Sequence, residues 1–249
     1  WARRTYESGN RILPEDHPAR IYWTNNYARV FQEQQQPEKA EPLLRECVER
    51  AARVFGPEHA DTLLLTSNWA QALQNLKRLD EAEALFRRCV DKARATLGSE
   101  HPNFLIFANN LANLLMIAEK PAEALPFAQE VADTAARVLP AGSVNGALFS
   151  RNLGTCLGRL GRFAEAEPHL LKAERELAAA LPANHPGVIS SRTQLVTLYE
   201  KMNRPEDAAK FKALLPPPAP APNPAPAPAP ASAPTPTGTP AAGGGEAKR

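Results

Sequence analysis

Cysteine is scarce: Cys47, Cys89 and Cys156 are the only three in 249 residues. None lies close to another, so there is neither a disulfide framework nor a zinc-ligand spacing. No apolar run approaches 18 residues, which excludes a membrane-spanning helix. Aromatic residues make up 6% and are not interleaved with lysine and arginine, so the stacking ring or basic stripe of a nucleic-acid-binding repeat is missing. An excess of one charge is missing too, with 29 Lys+Arg against 27 Asp+Glu. A partner held by sheer charge is therefore not expected. There is no Walker lysine motif, nucleophile elbow, His-Glu-x-x-His or paired-carboxylate arrangement. Neither β-branched runs nor strand-like alternation occurs. These absences point away from an enzyme, a cofactor, a metal, nucleic acid and a membrane.

Proline is plentiful but uneven: 12 of the 25 fall in residues 216–249. That stretch has no aromatic residue, leucine, isoleucine or valine, so it cannot bury enough surface to offset its ordering entropy. A disordered Ala/Pro-rich tail of polyproline-II character is expected there. Without Glu246, Lys248 and Arg249 the rest carries 27 basic and 26 acidic residues.

The remainder is one unit written several times. His17, His59, His101 and His185 stand at spacings of 42, 42 and 84, and Ser143 fills the gap in the series. The register runs without insertion from 17 to about 215. It divides the chain into repeat 1 (17–58), repeat 2 (59–100), repeat 3 (101–142), repeat 4 (143–184) and a shorter repeat 5 (185–215). Residues 1–16 read as the second helix of a truncated preceding repeat, and Trp1 in place of Met makes a missing natural start the expectation.

Each repeat holds two helices. Leu63, Trp69, Ala70 and Leu73 recur at helical spacing in a first half, and Leu43, Leu44, Cys47, Ala51, Val54 and Phe55 in a second. Pro18, Pro102 and Pro186 suit a first turn, and Gly56, Gly98, Pro140 and Pro182 end helices. The fold class is all-α. Recurring small residues (Ala28, Ala70, Ala112 and Gly154; Ala40, Ala82, Ala124 and Ala166) mark close helix approach. A lone hairpin cannot cover its apolar face, so neighbours stack in series.

These units resemble tetratricopeptide repeats, and the 42-residue period resembles the kinesin-light-chain-like subtype. The residues that carry the resemblance are Asn109-Asn110-Leu111-Ala112, the run Gly161 to Pro168, and Gly56-Pro57-Glu58-His59. The resemblance implies a right-handed superhelical solenoid of stacked hairpins. It also implies a concave groove, lined by first helices, that takes partner peptides. The asparagine before each Leu-Ala pair often bonds the ligand backbone in such repeats, which carries over to Asn26, Asn68, Asn110 and Asn152, with Gln194 in the fifth repeat. A carboxamide has a donor and an acceptor, as a peptide unit does. Arg29, Gln71, Asn109, Asn113 and Arg151 join them on the same helix face. The same ladder also suits packing between repeats.

Arg29, Arg151, Arg159 and Lys201 outnumber Glu33 and Glu200 on that face, and Ile106, Met116 and Ile117 form an apolar patch. A protein or peptide ligand with apolar and acidic residues is the expected partner. The register histidines are expected to pack at hairpin junctions, and His169 to replace a core residue. Cys47 and Cys89 are expected to be inert core thiols. An interaction scaffold in the cytoplasm is the leading reading. The second is a regulatory or sensing arm of a larger signalling enzyme, a kinase or NTPase, whose catalytic part precedes residue 1. Self-association through an uncovered N-terminal edge is a third expectation.

Overall fold

The computed structural model describes residues 2–217. Trp1 and all but the first two residues of the expected disordered tail lie outside the described residues. Eleven helices, and no strand among the described residues, make up the rest. They are α1 (Ala2–Ile12), α2 (Pro18–Glu33), α3 (Pro37–Val54), α4 (Ala60–Asn75), α5 (Leu79–Thr96) and α6 (Pro102–Ile117). Then follow α7 (Pro121–Val138), α8 (Val144–Arg159), α9 (Phe163–Ala180), α10 (Pro186–Lys201) and α11 (Pro205–Lys212). Each helix packs on the next, and α4, α6, α8 and α10 also touch in sequence, so the first helices share one layer.

The histidine series now has a chemical role. His17, His59, His101 and His185 are the N-caps of α2, α4, α6 and α10, each Nδ1 accepting the backbone N–H two residues on at 3.1–3.2 Å. Ser143 caps α8 the same way, its Oγ accepting from Gly146 N–H at 3.4 Å. A helix start leaves several N–H groups without partners, and any side-chain acceptor at this point satisfies one. Nδ1 must carry its lone pair here, which places the ring proton on Nε2.

The turn inside each hairpin is equally regular. Gln35, Lys77, Glu119, Gly161 and Asn203 all have positive φ, between 55° and 76°. The N–H of the next residue reaches back to a carbonyl five residues earlier, as in Arg162 to Leu157 at 2.9 Å and Lys120 to Leu115 at 2.8 Å. This is the Schellman ending, which favours glycine because a Cβ is strained in the left-handed region. Only repeat 4 supplies glycine. Glu119→Gly is therefore expected to stabilise the fold by roughly 0.5–1 kcal/mol, read as a rise in the urea midpoint, with the gain limited by the extra freedom of the unfolded chain.

The small residues do hold helices close. Ala28, Ala70, Ala112, Ala40, Ala82, Ala124 and Ala166 are fully buried. A Cβ on Gly154 would sit 2.7 Å from Leu170 Cγ, so α8 and α9 meet there without room for a side chain. Ion pairs join successive second helices, among them Arg87–Glu123 at 2.9 Å and Arg94–Glu130 at 2.8 Å. Burial pushes the Cys47 and Cys89 thiols up to about 12, and each Sγ donates to a carbonyl of the preceding helix, Ile21 and Leu63 respectively. Such thiols are poor nucleophiles.

Candidate peptide-binding face

The fifth, ninth, twelfth and sixteenth residues after each cap fall on one side of a first helix. In the fifth position stand Tyr22, Leu64 and Ile106, 43%, 38% and 36% exposed, followed by half-buried Leu148. A row of exposed large apolar side chains along consecutive repeats is an interaction surface in waiting.

The asparagine ladder lies beside that row, and the nitrogens of three of its five members are already committed. Asn68 Nδ2 donates to Asn25 Oδ1 at 3.1 Å, Asn110 Nδ2 to Ser67 Oγ at 3.3 Å, and Asn152 Nδ2 to Asn109 Oδ1 at 2.7 Å. Each bond crosses from one repeat to the one before it, so these amides splice the stack. Asn152 Oδ1 also accepts from Arg151 at 3.4 Å, and Asn152 is only 6% exposed. It has the least left for a ligand. Asn68 and Asn110 keep their carbonyl oxygens, Asn26 is exposed, and Gln194 is half-buried.

One turn further, Arg29 is exposed and pairs with Glu33 at 3.5 Å. Gln71 and Asn113 are half-buried, and neither side chain is hydrogen-bonded. At the sixteenth position the series reads Glu33, Asn75, Ile117, Arg159, Lys201, acidic at one end and basic at the other. Arg159 donates to the Met116 carbonyl, and neither Arg159 nor Lys201 has a carboxylate partner among the described residues. Arg151 likewise lacks one, and burial lowers its pKa from the ordinary value. A guanidinium stays charged regardless. Repeats 4 and 5 thus concentrate three uncompensated cations on this face. The expected apolar patch needs one correction: Met116 is 5% exposed and packs inside, which leaves Ile106 and Ile117 at the surface.

Between α8 and α10 the same face has a depression of ≈280 Å³, rimmed by Arg159 and Lys201 and lined by Gly158, Gln194, Thr197 and Leu198. It exists because Gly158 stands where Met116 stands one repeat earlier. The repeat alignment held that signal, a glycine in a position otherwise filled by Gln32, Gln74, Met116 and Glu200. At the other end a depression of ≈450 Å³ is lined by Gln32, Gln35, Gln74, Asn75 and Ile117. None of those four carboxamides makes a side-chain hydrogen bond, so they offer free donors and acceptors beside an exposed aliphatic residue.

Helical hairpins at a fixed period, spliced by amides and sharing one first-helix face, define a helical-repeat protein. The family is also shown directly. Models described as tetratricopeptide repeat match residues 21–61, 61–137, 104–175 and 146–212, and the chain belongs to that family. Its repeats are of the kinesin-light-chain-like type. The kinesin light chain nearly identical TPR-like repeats of Podosopora anserina are 25% identical with a TM-score of 0.67, covering 80% of this chain and 94% of that one. BtubC (BKLC) from P. vanneervenii shares the fold at 19% identity, with a TM-score of 0.71 over 86% of this chain and 87% of the other. A Rap protein complexed with Competence and Sporulation Factor shares it at 15% identity and 0.68, over 83% of this chain and 55% of that one. No curated protein matches the sequence. No helix among the described residues is long and apolar enough to cross a membrane.

Proposed function

We propose that this chain is a non-catalytic interaction scaffold whose first-helix face binds an extended segment of a partner protein. An acidic residue of the segment occupies the Gly158 depression between Arg159 and Lys201. Its apolar residues lie along Tyr22, Leu64, Ile106 and Leu148. The free carboxamides of Gln71, Asn113 and the Gln32–Asn75 depression meet its backbone. The observation that carries this reading is the cluster of uncompensated cations around an unfilled depression, next to an exposed apolar row. Arg159 and Lys201 are solvent-exposed and have no carboxylate partner, so an acidic group set between them gains attraction without displacing an internal ion pair. The structures of a Rap protein with its factor, and of YrrB, described as a TPR protein with an unusual peptide-binding site, support the use of this fold for such ligands. In this reading the protein works in the cytoplasm without cofactor, nucleic acid or membrane. Self-association through the edge formed by α1, where Ile12 is 75% exposed, is a separate use of apolar surface.

The test is a peptide-display selection on the intact chain, repeated on Gly158→Met. A Cβ at residue 158 meets nothing closer than 3.8 Å, so the longer side chain enters the depression without disturbing the helix pair. An acid-containing motif should be enriched on the parent and lost on the variant. Equal enrichment on both, or equal recovery of acidic and basic peptides at low salt, would remove the depression from the account.

A further inference from the structure

On the opposite side of α8 a second cleft, of ≈390 Å³, opens between α7, the start of α8 and α9. It lies at the junction of repeats 3 and 4, and the junction before it shows why it is there. The places of Gly146, His169, Ala132 and Ala136 are held one repeat earlier by Phe104, Phe127, Val90 and Arg94. There Phe104 is fully buried, with the Arg94 guanidinium 4.9 Å over its ring, and Phe127 packs against the core. At the junction of repeats 1 and 2 the first two places are held by Thr62 and Leu85, and at that of repeats 4 and 5 by Val188 and Phe211. Only here does neither of the two places hold a bulky apolar side chain. A Cβ on Gly146 would make ordinary contacts, with Ser143 Cβ at 3.7 Å and Leu139 Cδ1 at 4.0 Å, so a side chain is tolerated there.

The walls that replace those rings are polar at defined points. Ser150 Oγ lies 3.4 Å from His169 Nδ1 and donates to the His169 carbonyl at 3.2 Å. His169 Nε2 has no partner, and Lys172 and Glu176 at the rim make no ion pair among the described residues. Burial lowers the His169 pKa, which keeps the half-buried ring neutral and able to donate or accept. Leu139, Pro140 and the alanines supply apolar sides.

We propose that this cleft is a binding site for a single aromatic ring bearing one hydrogen-bonding group, of the phenol or indole class. The ring takes the place that Phe104 and Phe127 fill one repeat earlier, and its polar group meets His169 and Ser150. The volume is in the range of small-ligand sites, whose few polar groups fix orientation within apolar walls. The ring arrives either as a free small molecule or as a tyrosine or tryptophan side chain of a partner. The two sources are separable by experiment.

The intact chain is titrated by NMR with p-cresol, with indole, and with a short peptide carrying a central tyrosine. The comparison variant is Gly146→Phe/His169→Phe, which copies the residues of the preceding junction and is expected to fold with a raised melting temperature. Saturable shifts at Ser150, His169 and Gly146 in the parent, absent in the variant, are the expected result. Saturation by the free compounds identifies a small molecule, and saturation by the peptide alone identifies a ring brought by a partner. Ser150→Ala should weaken p-cresol more than toluene. Failure of all three probes to saturate, or binding to the filled variant as strong as to the parent, would overturn the proposal.

Discussion

Phe104→Ala is expected to destabilise the solenoid by about 3–5 kcal/mol, the largest single-residue effect in this account. The ring is fully buried, is stacked under Arg94, and belongs to the core cluster that joins α5, α6 and α7. Its removal deletes apolar contacts on three helices and leaves a void that their backbones cannot close, because Ala82, Ala112 and Ala124 already hold them at close approach. In a solenoid each repeat contacts only its neighbours, so the damage should also weaken cooperation between the two halves of the stack. Urea unfolding followed by both circular dichroism and tryptophan fluorescence checks this. The account expects a lower midpoint and separate transitions by the two probes. A loss below about 1 kcal/mol would mean that the junction of repeats 2 and 3 is no better packed than a surface site.

The second large effect is on binding. Arg159→Glu/Lys201→Glu should weaken a selected acidic peptide about 100-fold or more at low salt, equivalent to roughly 2.7 kcal/mol. Neither cation has a carboxylate partner to lose, but Arg159 gives up its bond to the Met116 carbonyl and both helices gain an acid in the last turn. A modest fall in melting temperature is therefore expected, and binding is compared where both proteins are folded. The reversed face should now prefer a peptide in which lysine replaces the acid. Raising the salt should narrow the gap between parent and variant, because part of the attraction acts across solvent. An unchanged affinity by fluorescence anisotropy would separate the peptide site from the basic end of the face.

Much of the fold is legible in the chain because the repeat supplies its own internal comparison. The 42-residue register, the helical spacing of Leu63 to Leu73, and the alanines at close approach all follow from periodicity. What escapes it is whatever depends on where a polar group points. Histidine is not among the usual helix caps, so the spacing of His17, His59, His101 and His185 shows a shared place but not the bond from Nδ1 to a backbone N–H. The left-handed turns at Gln35, Lys77 and Glu119 are hidden because only Gly161 and Asn203 carry residue types that announce one.

The candidate site is legible by face and not by side-chain commitment. Asn68, Asn110 and Asn152 stand on the helix face that spacing assigns them, Asn152 buried and the other two half-buried, yet each spends its amide nitrogen on the preceding repeat. A carboxamide satisfies a neighbour as readily as a ligand, and sequence cannot distinguish the two. Met116 and Ile117 are adjacent in sequence, and a rotation of about 100° per residue puts one inside and one outside. The two clefts sit where a side chain is absent, at Gly158 in one and at Gly146 in the other. They emerge only when one repeat is laid on another.

The claim at the centre of this account is that the first-helix face is the binding surface. A selected peptide carrying a nitroxide label, bound to the isotope-labelled intact chain, tests it most directly through paramagnetic broadening of amide resonances. The account predicts broadening on α6, α8 and α10, strongest around Asn113, Arg159 and Lys201. Broadening confined to α7 and α9, with those three residues untouched, would contradict it.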